Sequence, residues 1–333
     1  MTRQPTPESP RDNAIFSLDN KRVWVAGHRG MVGSALMRRL RRERCELLTV
    51  ARGELDLRRQ AEVEHWMRES RPQVVLIAAA TVGGIHANRS RADEFIYDNL
   101  AIAMNVVHTA AEIGVEKLLF LGSSCIYPKL CTQPMTEDQL LSGPLEPTNQ
   151  WYAIAKLAGL MLAKAYRVRH GMDFVAALPT NLYGPGDNFD LQQGHVIAAL
   201  LRKLHEAKVR GDRSVEIWGT GLPRREFLHV DDLADALVYL LTHYSGEEPV
   251  NIGSGHEVSI AELASLAAEV VGYDGELVYN TSMPDGPPRK LLDVTRMTEL
   301  GWRPRTPLFK GLQDAYACYL SQLPRPAPID MVA

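Results

Sequence analysis

Short apolar runs alternate with stretches of helical periodicity along the first 180 positions of the chain. Five runs read as strands, at 22–26, 46–50, 73–80, 117–121 and 174–178. Helical patterns follow at 31–42, 93–113 and 152–169. The run 73–80 is almost entirely apolar, which is typical of a parallel strand covered on both faces. This alternation predicts an α/β fold with a doubly wound, Rossmann-type parallel sheet.

The alternation loosens after about residue 184, which indicates a second, smaller α/β domain. Short strands are expected at 215–218 and 275–279, and helices at 195–207, 232–241 and 260–271. The run 249–252 resembles a strand that returns to the main sheet. We therefore expect a disordered leader (1–20), a Rossmann domain (21–184, with a returning segment near 225–255), an interleaved substrate-binding domain (185–320) and a solvated tail (321–333).

Composition and charge exclude several classes of protein. The chain has 333 residues, of which 45% are hydrophobic and 23% charged, as in ordinary globular proteins. The formal net charge of −3 creates no basic field for nucleic acid, and no apolar run approaches the ~20 residues of a membrane span. The polar leader lacks the apolar core of a secretory signal. We expect a cytoplasmic protein with neither nucleic-acid nor membrane partners.

Four scattered cysteines, Cys45, Cys125, Cys131 and Cys318, are too few for a disulfide framework. No CxxC pair suggests zinc, so we expect no metal site. On this evidence alone, the cysteines are interpreted as residues without a catalytic or structural role.

Three glycines, Gly27, Gly30 and Gly33, separate the first predicted strand from the first helix. Glycines there permit a tight turn, close approach of the backbone to a pyrophosphate, and close packing of helix on strand. The spacing G-x-x-G-x-x-G differs from the commonest dinucleotide fingerprint, but its position between strand and helix predicts a cofactor site. Its remaining residues are His28, Arg29, Met31 and Val32.

The end of the second strand bears on which nicotinamide cofactor is bound. NAD enzymes usually carry an acidic residue there, whereas this chain reads Thr49-Val-Ala-Arg52. Together with Arg29, Arg52 suits a 2′-phosphate, so we expect NADPH rather than NADH. Glu54 lies close to this position in the sequence and could bind the ribose hydroxyls of NADH, so NADH remains an alternative cofactor.

Tyr152 and Lys156 lie one helical turn apart on the same face. An ammonium near a phenol favours phenolate, so the pair can exchange a proton with a carbonyl oxygen. Such pairs also occur by chance on helix surfaces. Ser123 favours the functional interpretation, because it follows the fourth strand, at the edge where open α/β sheets bind ligands.

The glycine loop, Ser123 and Tyr152-x-x-x-Lys156 together resemble the extended short-chain dehydrogenase/reductase family, with a closer match to the GDP-L-fucose synthases. The resemblance covers roughly residues 21 to 320. Its more specific segments are 82–85, 120–129, 146–149, 179–185, 195–197, 225–232 and 288–293.

The resemblance implies NADPH, a GDP-linked 4-keto-6-deoxy sugar as substrate, inversion at C3 and C5, and reduction of the C4 ketone. It also implies a homodimer formed through helices that include 93–113 and 152–169. Further cofactor contacts implied in this way are Leu121, Gly122, Ser123, Ser124, Tyr152, Lys156, Pro179, Thr180, Asn181, Leu182 and His195.

Two residues are implied to move protons at C3 and C5: Cys125 as the base and His195 as the acid. Cys125 follows Ser123 by two positions, so in an extended backbone both side chains point the same way. A cysteine near a cation can act as a base. Taken alone, Cys125 reads as a small buried hydrophobe and His195 as a capping or surface residue. No catalytic role is implied for Cys45, Cys131 and Cys318.

Cations for the substrate diphosphate are implied at Lys203, Arg225 and Lys290. Trp218 can stack on guanine or sugar, although a core position is equally compatible with the sequence. Gly186 stands where some relatives carry histidine, so the resemblance does not define the contacts that this loop makes. An enzyme that only reduces or only epimerises a related GDP-keto sugar remains an alternative, as does a non-catalytic NADPH sensor.

Overall fold

The computed structural model describes residues 14–191 and 194–323. Its strands are β1 (Arg22–Ala26), β2 (Glu46–Leu48), β3 (Val74–Ile77), β4 (Lys117–Leu121), β5 (Phe174–Pro179), β6 (Asn181–Tyr183), β7 (Ser214–Trp218), β8 (Arg224–His229), β9 (Val250–Ile252), β10 (Glu257–Ser259), β11 (Glu276–Asn280) and β12 (Arg289–Lys290). Its helices are α1 (Met31–Leu40), α2 (Gln60–Ser70), α3 (Ile85–Ser90), α4 (Ala92–Glu112), α5 (Gln150–His170), α6 (Val196–Arg210), α7 (Val230–His243), α8 (Ile260–Val271), α9 (Thr295–Glu299) and α10 (Leu308–Gln322).

Within the described residues, six strands form a parallel sheet in the order β2-β1-β3-β4-β5-β9. β3, β4 and β5 are buried along their whole length. They are buried because α1 and α7 cover one face of the sheet, whereas α2, α4 and α5 cover the other. The doubly wound Rossmann-type sheet predicted from the sequence is confirmed.

A second group of strands carries the C-terminal part of the chain. β8 pairs antiparallel with β10 and parallel with β6 and β12, and β7 pairs with β11. Helices α6, α8 and α10 pack around these strands in a separate core. β9 pairs with β5 in the main sheet, so the strand expected to return does so. β8, although within the predicted returning segment, belongs to the second sheet.

The strand order places a crevice at one edge of the main sheet. The chain runs from β1 to β2 on one side and then crosses to β3 on the other. Where the order reverses in this way, the space outside the carboxyl ends of the strands is the usual ligand site of an open α/β sheet. Cofactor residues are therefore expected beside the ends of β1 and β3.

Part of the predicted disordered leader packs on the main sheet, so that prediction is wrong for residues 14–20. The backbone N–H groups of Ile15 and Phe16 donate to the carbonyl of Thr242 at 2.8 and 3.1 Å. Leu18 is buried in the main core. The prediction followed the polar composition of the segment, whereas Phe16 and Leu18 supply apolar surface for packing. Residues 1–13 of the leader lie outside the described residues.

Several elements were not predicted from the sequence, among them α2, α3, α9, α10 and the short strands β6, β8, β10 and β12. α10 extends into the first two residues of the predicted tail, and the tail from 324 onward lies outside the described residues. In the ranges that the structure describes, no helix has the length and apolar character needed to span a membrane.

The turn between β1 and α1 depends on two glycines. Gly27 has φ = +87°, in the left-handed region that side chains rarely adopt. A Cβ on Gly33 would lie only 2.0 Å from the carbonyl oxygen of Gly27. The first turn of α1 therefore packs directly on the loop, which brings the helix N-terminus to the edge of the sheet.

Gly33→Ala will destabilise the fold, because the added methyl group has no room and either α1 or the loop must shift. We expect the free energy of unfolding to fall by about 1–3 kcal/mol in urea titrations. Gly53→Ala is the matched control, since a Cβ at Gly53 meets nothing within 4 Å, and its stability should change by less than about 0.5 kcal/mol. Equal stabilities of the two variants would contradict this account.

Candidate active site

A cavity of about 300 Å³ lies where the sheet topology predicts it, at the ends of β1 and β3. Its walls include Gly27, His28, Arg29, Gly30 and Arg52, all expected from the sequence to contact the cofactor. Met31, Val32 and Gly33 lie directly behind them, in the first turn of α1. The structure thus brings the glycine loop and both arginines to one cavity.

Charged side chains line the cavity near the glycine loop. Arg29 and Arg52 are exposed. Glu54 accepts a hydrogen bond from the backbone N–H of Ala51 at 3.0 Å. This is the acidic residue that made NADH an alternative cofactor in the sequence analysis. Its carboxylate therefore stabilises the turn. Burial and the charge of Arg29 lower the pKa of His28, so the imidazole adds little positive charge near neutral pH.

The cavity also holds an ionic network that the sequence reasoning missed. Arg58 donates to Asp56 Oδ2 at 2.7 Å and to Asp98 Oδ1 at 3.1 Å, and Thr81 Oγ1 donates to Asp98 Oδ2 at 2.9 Å. The hydrogen bond from Arg58 lowers the pKa of Asp56 to about 2. The network fixes the loop after β2 against α4 and the end of β3. Only the acidic and basic residues clustered soon after the second strand could have signalled it.

Lys156 lies in the interior on α5, next to the carboxyl end of β4. Its ammonium donates a hydrogen bond to the carbonyl of Leu121 at 2.8 Å and lies 5.8 Å from the centre of the Tyr152 ring. Burial lowers the pKa of Lys156 to about 8. Gly159, one turn further along, lets α5 approach the sheet, because a Cβ there would lie 2.4 Å from the Phe120 ring.

Tyr152 differs from the expectation that its neighbouring lysine favours phenolate. Burial raises the pKa of Tyr152, and the nearby Cys125 acts in the same direction, whereas hydrogen bonding with Ser123 opposes them. The ammonium of Lys156 is directed to a backbone carbonyl, which explains the difference. Tyr152 is therefore a neutral phenol in this structure and able to donate a proton.

Ser123 and Cys125 lie together, but not through the extended backbone that the sequence reasoning assumed. Residues 124–126 form a turn of 3₁₀ helix, and the N–H of Cys125 donates to Ser123 Oγ at 3.2 Å. The predicted alignment of the two side chains is thus wrong in its geometry. The half-buried thiol instead meets the ammonium of Lys290, with Nζ 3.7 Å from Sγ.

The other residues expected to contact the cofactor lie along the same edge of the sheet. Gly122 donates its N–H to the carbonyl of Ala177 at 2.8 Å, and Thr180 donates to that of Ile252 at 2.9 Å. The remaining members of this group, placed at or just beyond the ends of β4 and β5, are Leu121, Ser124, Pro179, Asn181 and Leu182.

Three of the residues expected to bind substrate belong to the strands of the C-terminal part. Burial lowers the pKa of Arg225, and Asp285 opposes this effect. Lys290 is paired in register with Arg225, and Trp218 is 63% exposed, which excludes the core alternative. Lys203, on α6, donates to the carbonyl of Glu216. Its ammonium is therefore held by the protein in this structure.

His195 is the exposed N-terminal capping residue of α6. It lies near Asp187. Burial raises the pKa of Asp187, and the electrostatic effect of His195 only partly opposes this shift. Asp187 Oδ2 is buried without a hydrogen-bond partner among the described residues, and this residue was not singled out from the sequence. Gly186 has φ = +88° and its Cβ position lies 3.5 Å from Met31 Cα, so the loop passes close to α1.

The remaining thiols, Cys45, Cys131 and Cys318, are free and half-buried. Lys290 also acts electrostatically on Cys131, where it lowers a pKa that burial raises. In the described part of the chain, no group of three or more His, Cys, Asp or Glu side chains could hold a metal ion.

Comparison with known proteins agrees with this geometry. Residues 23–253 match the model of the NAD dependent epimerase/dehydratase family. A GDP-L-fucose synthase of Sinorhizobium fredii is 54% identical over 93% of this chain and 98% of its own length. A GDP-L-fucose synthase of Escherichia coli is 48% identical over 92% of this chain and 99% of its own length.

Solved structures agree as well. A GDP-L-fucose synthetase from Naegleria fowleri bound to NADP has a TM-score of 0.85 and 27% identity, covering 93% of this chain and 97% of that one. A GDP-6-OMe-4-keto-L-xylo-heptose reductase from C. jejuni has a TM-score of 0.86 and 35% identity, covering 91% and 99%. The chain therefore belongs to the NAD dependent epimerase/dehydratase family and, within it, to the group that contains the GDP-L-fucose synthases.

Proposed function

We propose that this protein converts GDP-4-keto-6-deoxy-D-mannose to GDP-L-fucose, by epimerisation at C3 and C5 followed by NADPH-dependent reduction at C4. The observation that carries the proposal is the cluster of Ser123, Cys125, Tyr152 and Lys290 beyond the carboxyl end of β4. The cluster unites proton-transfer groups with a carbonyl-polarising pair. Sequence identities of 54% and 48% to two GDP-L-fucose synthases, over 93% and 92% of this chain, support the same reaction.

The C4 ketone explains why one pocket can serve both reactions. Hydrogens at C3 and C5 are acidic because both carbons flank the carbonyl, and removal of either proton leaves an enolate with its charge on the C4 oxygen. Ser123 and Tyr152 stabilise that oxygen by hydrogen bonding. In the later reduction Tyr152, held neutral by burial, donates its proton to the same oxygen.

Inversion at C3 and C5 requires a base on one side of the sugar and an acid on the other. The thiolate of Cys125 takes the proton from carbon, and His195 returns a proton from the opposite face. His195 lies near Asp187, whose pKa is raised by burial. A reactive thiol needs a reducing compartment, which agrees with the cytoplasmic location expected from the sequence.

The family implies a nicotinamide cofactor, and NADPH fits the residues of the cavity better than NADH. The glycines leave no Cβ where a pyrophosphate would approach the loop. Arg29 and Arg52 suit a 2′-phosphate, and Lys156 suits the ribose hydroxyls. When bound, the reduced nicotinamide supplies the hydride for C4.

The GDP moiety binds on the side of the C-terminal strands. Arg225 and Lys290 offer positive charge for the diphosphate from adjacent strands, and Lys203 offers it from α6 once released from its backbone contact. The exposed Trp218 offers a stacking surface for guanine or sugar.

A homodimer formed through α4 and α5 completes the proposal. These two helices pack against one another and expose several large apolar side chains. Tyr97 is 65% exposed and Met104 56% on α4, and Met161 42% and Val168 65% on α5. Apolar groups exposed in this way on adjacent helices are typical of protein interfaces.

The main enzyme alternative is a reductase for a related GDP-keto sugar, as the similarity to the heptose reductase illustrates. Cys125 and His195 favour the combined reaction, because reduction alone needs neither group. A non-catalytic NADPH sensor is disfavoured, since it needs no proton-transfer groups at all.

Incubation with GDP-4-keto-6-deoxy-D-mannose and NADPH tests the proposal directly. We expect NADPH oxidation and a product that NMR identifies as inverted at C3 and C5 and reduced at C4. Failure to oxidise NADPH would refute the reductase activity. A reduced product with unchanged C3 and C5 would refute the epimerase activity and favour the reductase alternative.

Arg52→Gln tests the preference for NADPH. Loss of one charged contact to the 2′-phosphate should raise the dissociation constant for NADPH about 10- to 100-fold, measured by fluorescence titration. Binding of NADH should change less than about twofold. Arg59→Gln is the control, because Arg59 is exposed and does not line the cavity. Equal losses for both cofactors at Arg52 would contradict 2′-phosphate recognition.

Cys125→Ser should stop entry of solvent deuterium at C3 and C5, because a hydroxyl is a far weaker base than a thiolate. We expect the exchange rate, followed by NMR in D₂O, to fall by at least about 100-fold while NADPH binding is retained. Cys131→Ser, in the same segment of chain, should exchange at the wild-type rate. Undiminished exchange in Cys125→Ser would remove Cys125 from the role of base.

A further inference from the structure

The ammonium of Lys290 contacts the thiol of Cys125. The two residues are 165 positions apart in the chain, yet Nζ lies 3.7 Å from Sγ. Cys125 comes from the turn after β4 in the main sheet, whereas Lys290 comes from β12 in the second sheet. The contact therefore forms only where the two parts of the protein meet.

The backbone around Lys290 is fixed on both sides. β12 pairs with β8, so Lys290 lies beside Arg225. The next residue, Leu291, donates its N–H to Gln133 Oε1 at 2.8 Å, and Leu292 donates to the buried Glu226 carboxylate at 3.1 Å. These bonds hold the start of the Lys290 side chain in place, so its contact with the thiol does not depend on a mobile loop.

In the described part of the chain, no carboxylate lies within 4 Å of the ammonium of Lys290, whereas the adjacent Arg289 pairs with Glu257 at 2.7 Å. In general, a cationic group beside a thiol stabilises the thiolate relative to the thiol. Lys290 therefore has a local electrostatic partner before any substrate is bound.

We propose that Lys290 is a catalytic residue of the epimerisation, whose ammonium stabilises the thiolate of Cys125 as the base. This inference rests on the proposed function and extends it, because Lys290 was expected only to bind diphosphate. In the step, the C–H bond at C3 or C5 breaks, the proton forms an S–H bond with Cys125, and the electron pair moves to the C4 oxygen. The thiol later returns its proton to solvent, which restores the ion pair.

The other titratable group that faces Cys125 adds to this assignment. Tyr152, from α5, has its pKa raised by Cys125 as well as by burial. A thiolate at Cys125 therefore keeps Tyr152 protonated, so that one group serves as base and the other as acid at the same pH. Lys290 also acts on Cys131, so a test must follow the two thiols separately.

The pH dependence of alkylation tests the ion pair without any substrate. Iodoacetamide modification of Cys125 would be followed by peptide mass spectrometry in the wild type, Lys290→Met, Lys290→Arg and the control Arg289→Gln. We expect the midpoint for Cys125 to rise by about one pH unit in Lys290→Met. Lys290→Arg should retain most of the wild-type behaviour, and Arg289→Gln all of it. Superimposable profiles for wild type and Lys290→Met would overturn the proposal.

Deuterium exchange at C3 and C5 separates catalysis from binding. Lys290→Met should lose about tenfold or more in kcat for exchange at pH 7 with a smaller change in KM, and raising the pH should recover part of the loss. A rise in KM alone would assign Lys290 to diphosphate binding and overturn its catalytic role. Absence of exchange by the wild-type protein would refute the proposed function, while the alkylation profile would still report the ion pair.

Discussion

The hydrogen bond from the buried ammonium of Lys156 to the carbonyl of Leu121 fixes the active site. It ties α5 to the carboxyl end of β4, and Gly159 allows the close packing that the bond requires. Tyr152 is consequently held one turn away, beside the segment that begins at Ser123. Burying this charge has a cost, visible in the lowered pKa of Lys156. Such a cost is typical of functional positions.

Burial and neighbouring charges distinguish the proton-transfer groups of the site. Burial and the neighbouring thiol raise the pKa of Tyr152, and the ammonium of Lys290 lies 3.7 Å from the sulfur of Cys125. In the proposed reaction Cys125 is the base, and Tyr152 and His195 are the proton donors that inversion followed by reduction requires.

The sequence predicted the main sheet well because its signals are local. An apolar run, three glycines and a helical stretch identify the β1–α1 unit, and the two arginines of the cavity follow from their positions relative to it. Residues 60–70 were missed as a helix because polar residues dominate the segment and only Val63 and Met67 are buried. Elements with so little apolar surface depend on tertiary packing more than on pattern.

The contacts of the site were harder to predict, since they join distant parts of the chain. The pairing of Lys290 with Cys125 needs the second sheet to meet the main one, and the bond from Arg58 to Asp98 needs α4 to lie against the loop after β2. The 3₁₀ turn after Ser123 reversed an expectation based on strand geometry. Residue types and spacing identified these groups, whereas only the fold could pair them.

In the proposed reaction, the protons at C3 and C5 of the product come from solvent, whereas the hydrogen at C4 comes from the cofactor. Two parallel reactions test this origin: one in D₂O with ordinary NADPH, and one in H₂O with NADPH deuterated at the transferable position. We expect deuterium at C3 and C5 only in the first product and at C4 only in the second. Solvent deuterium at C4, or none at C3 and C5 in the first reaction, would contradict it.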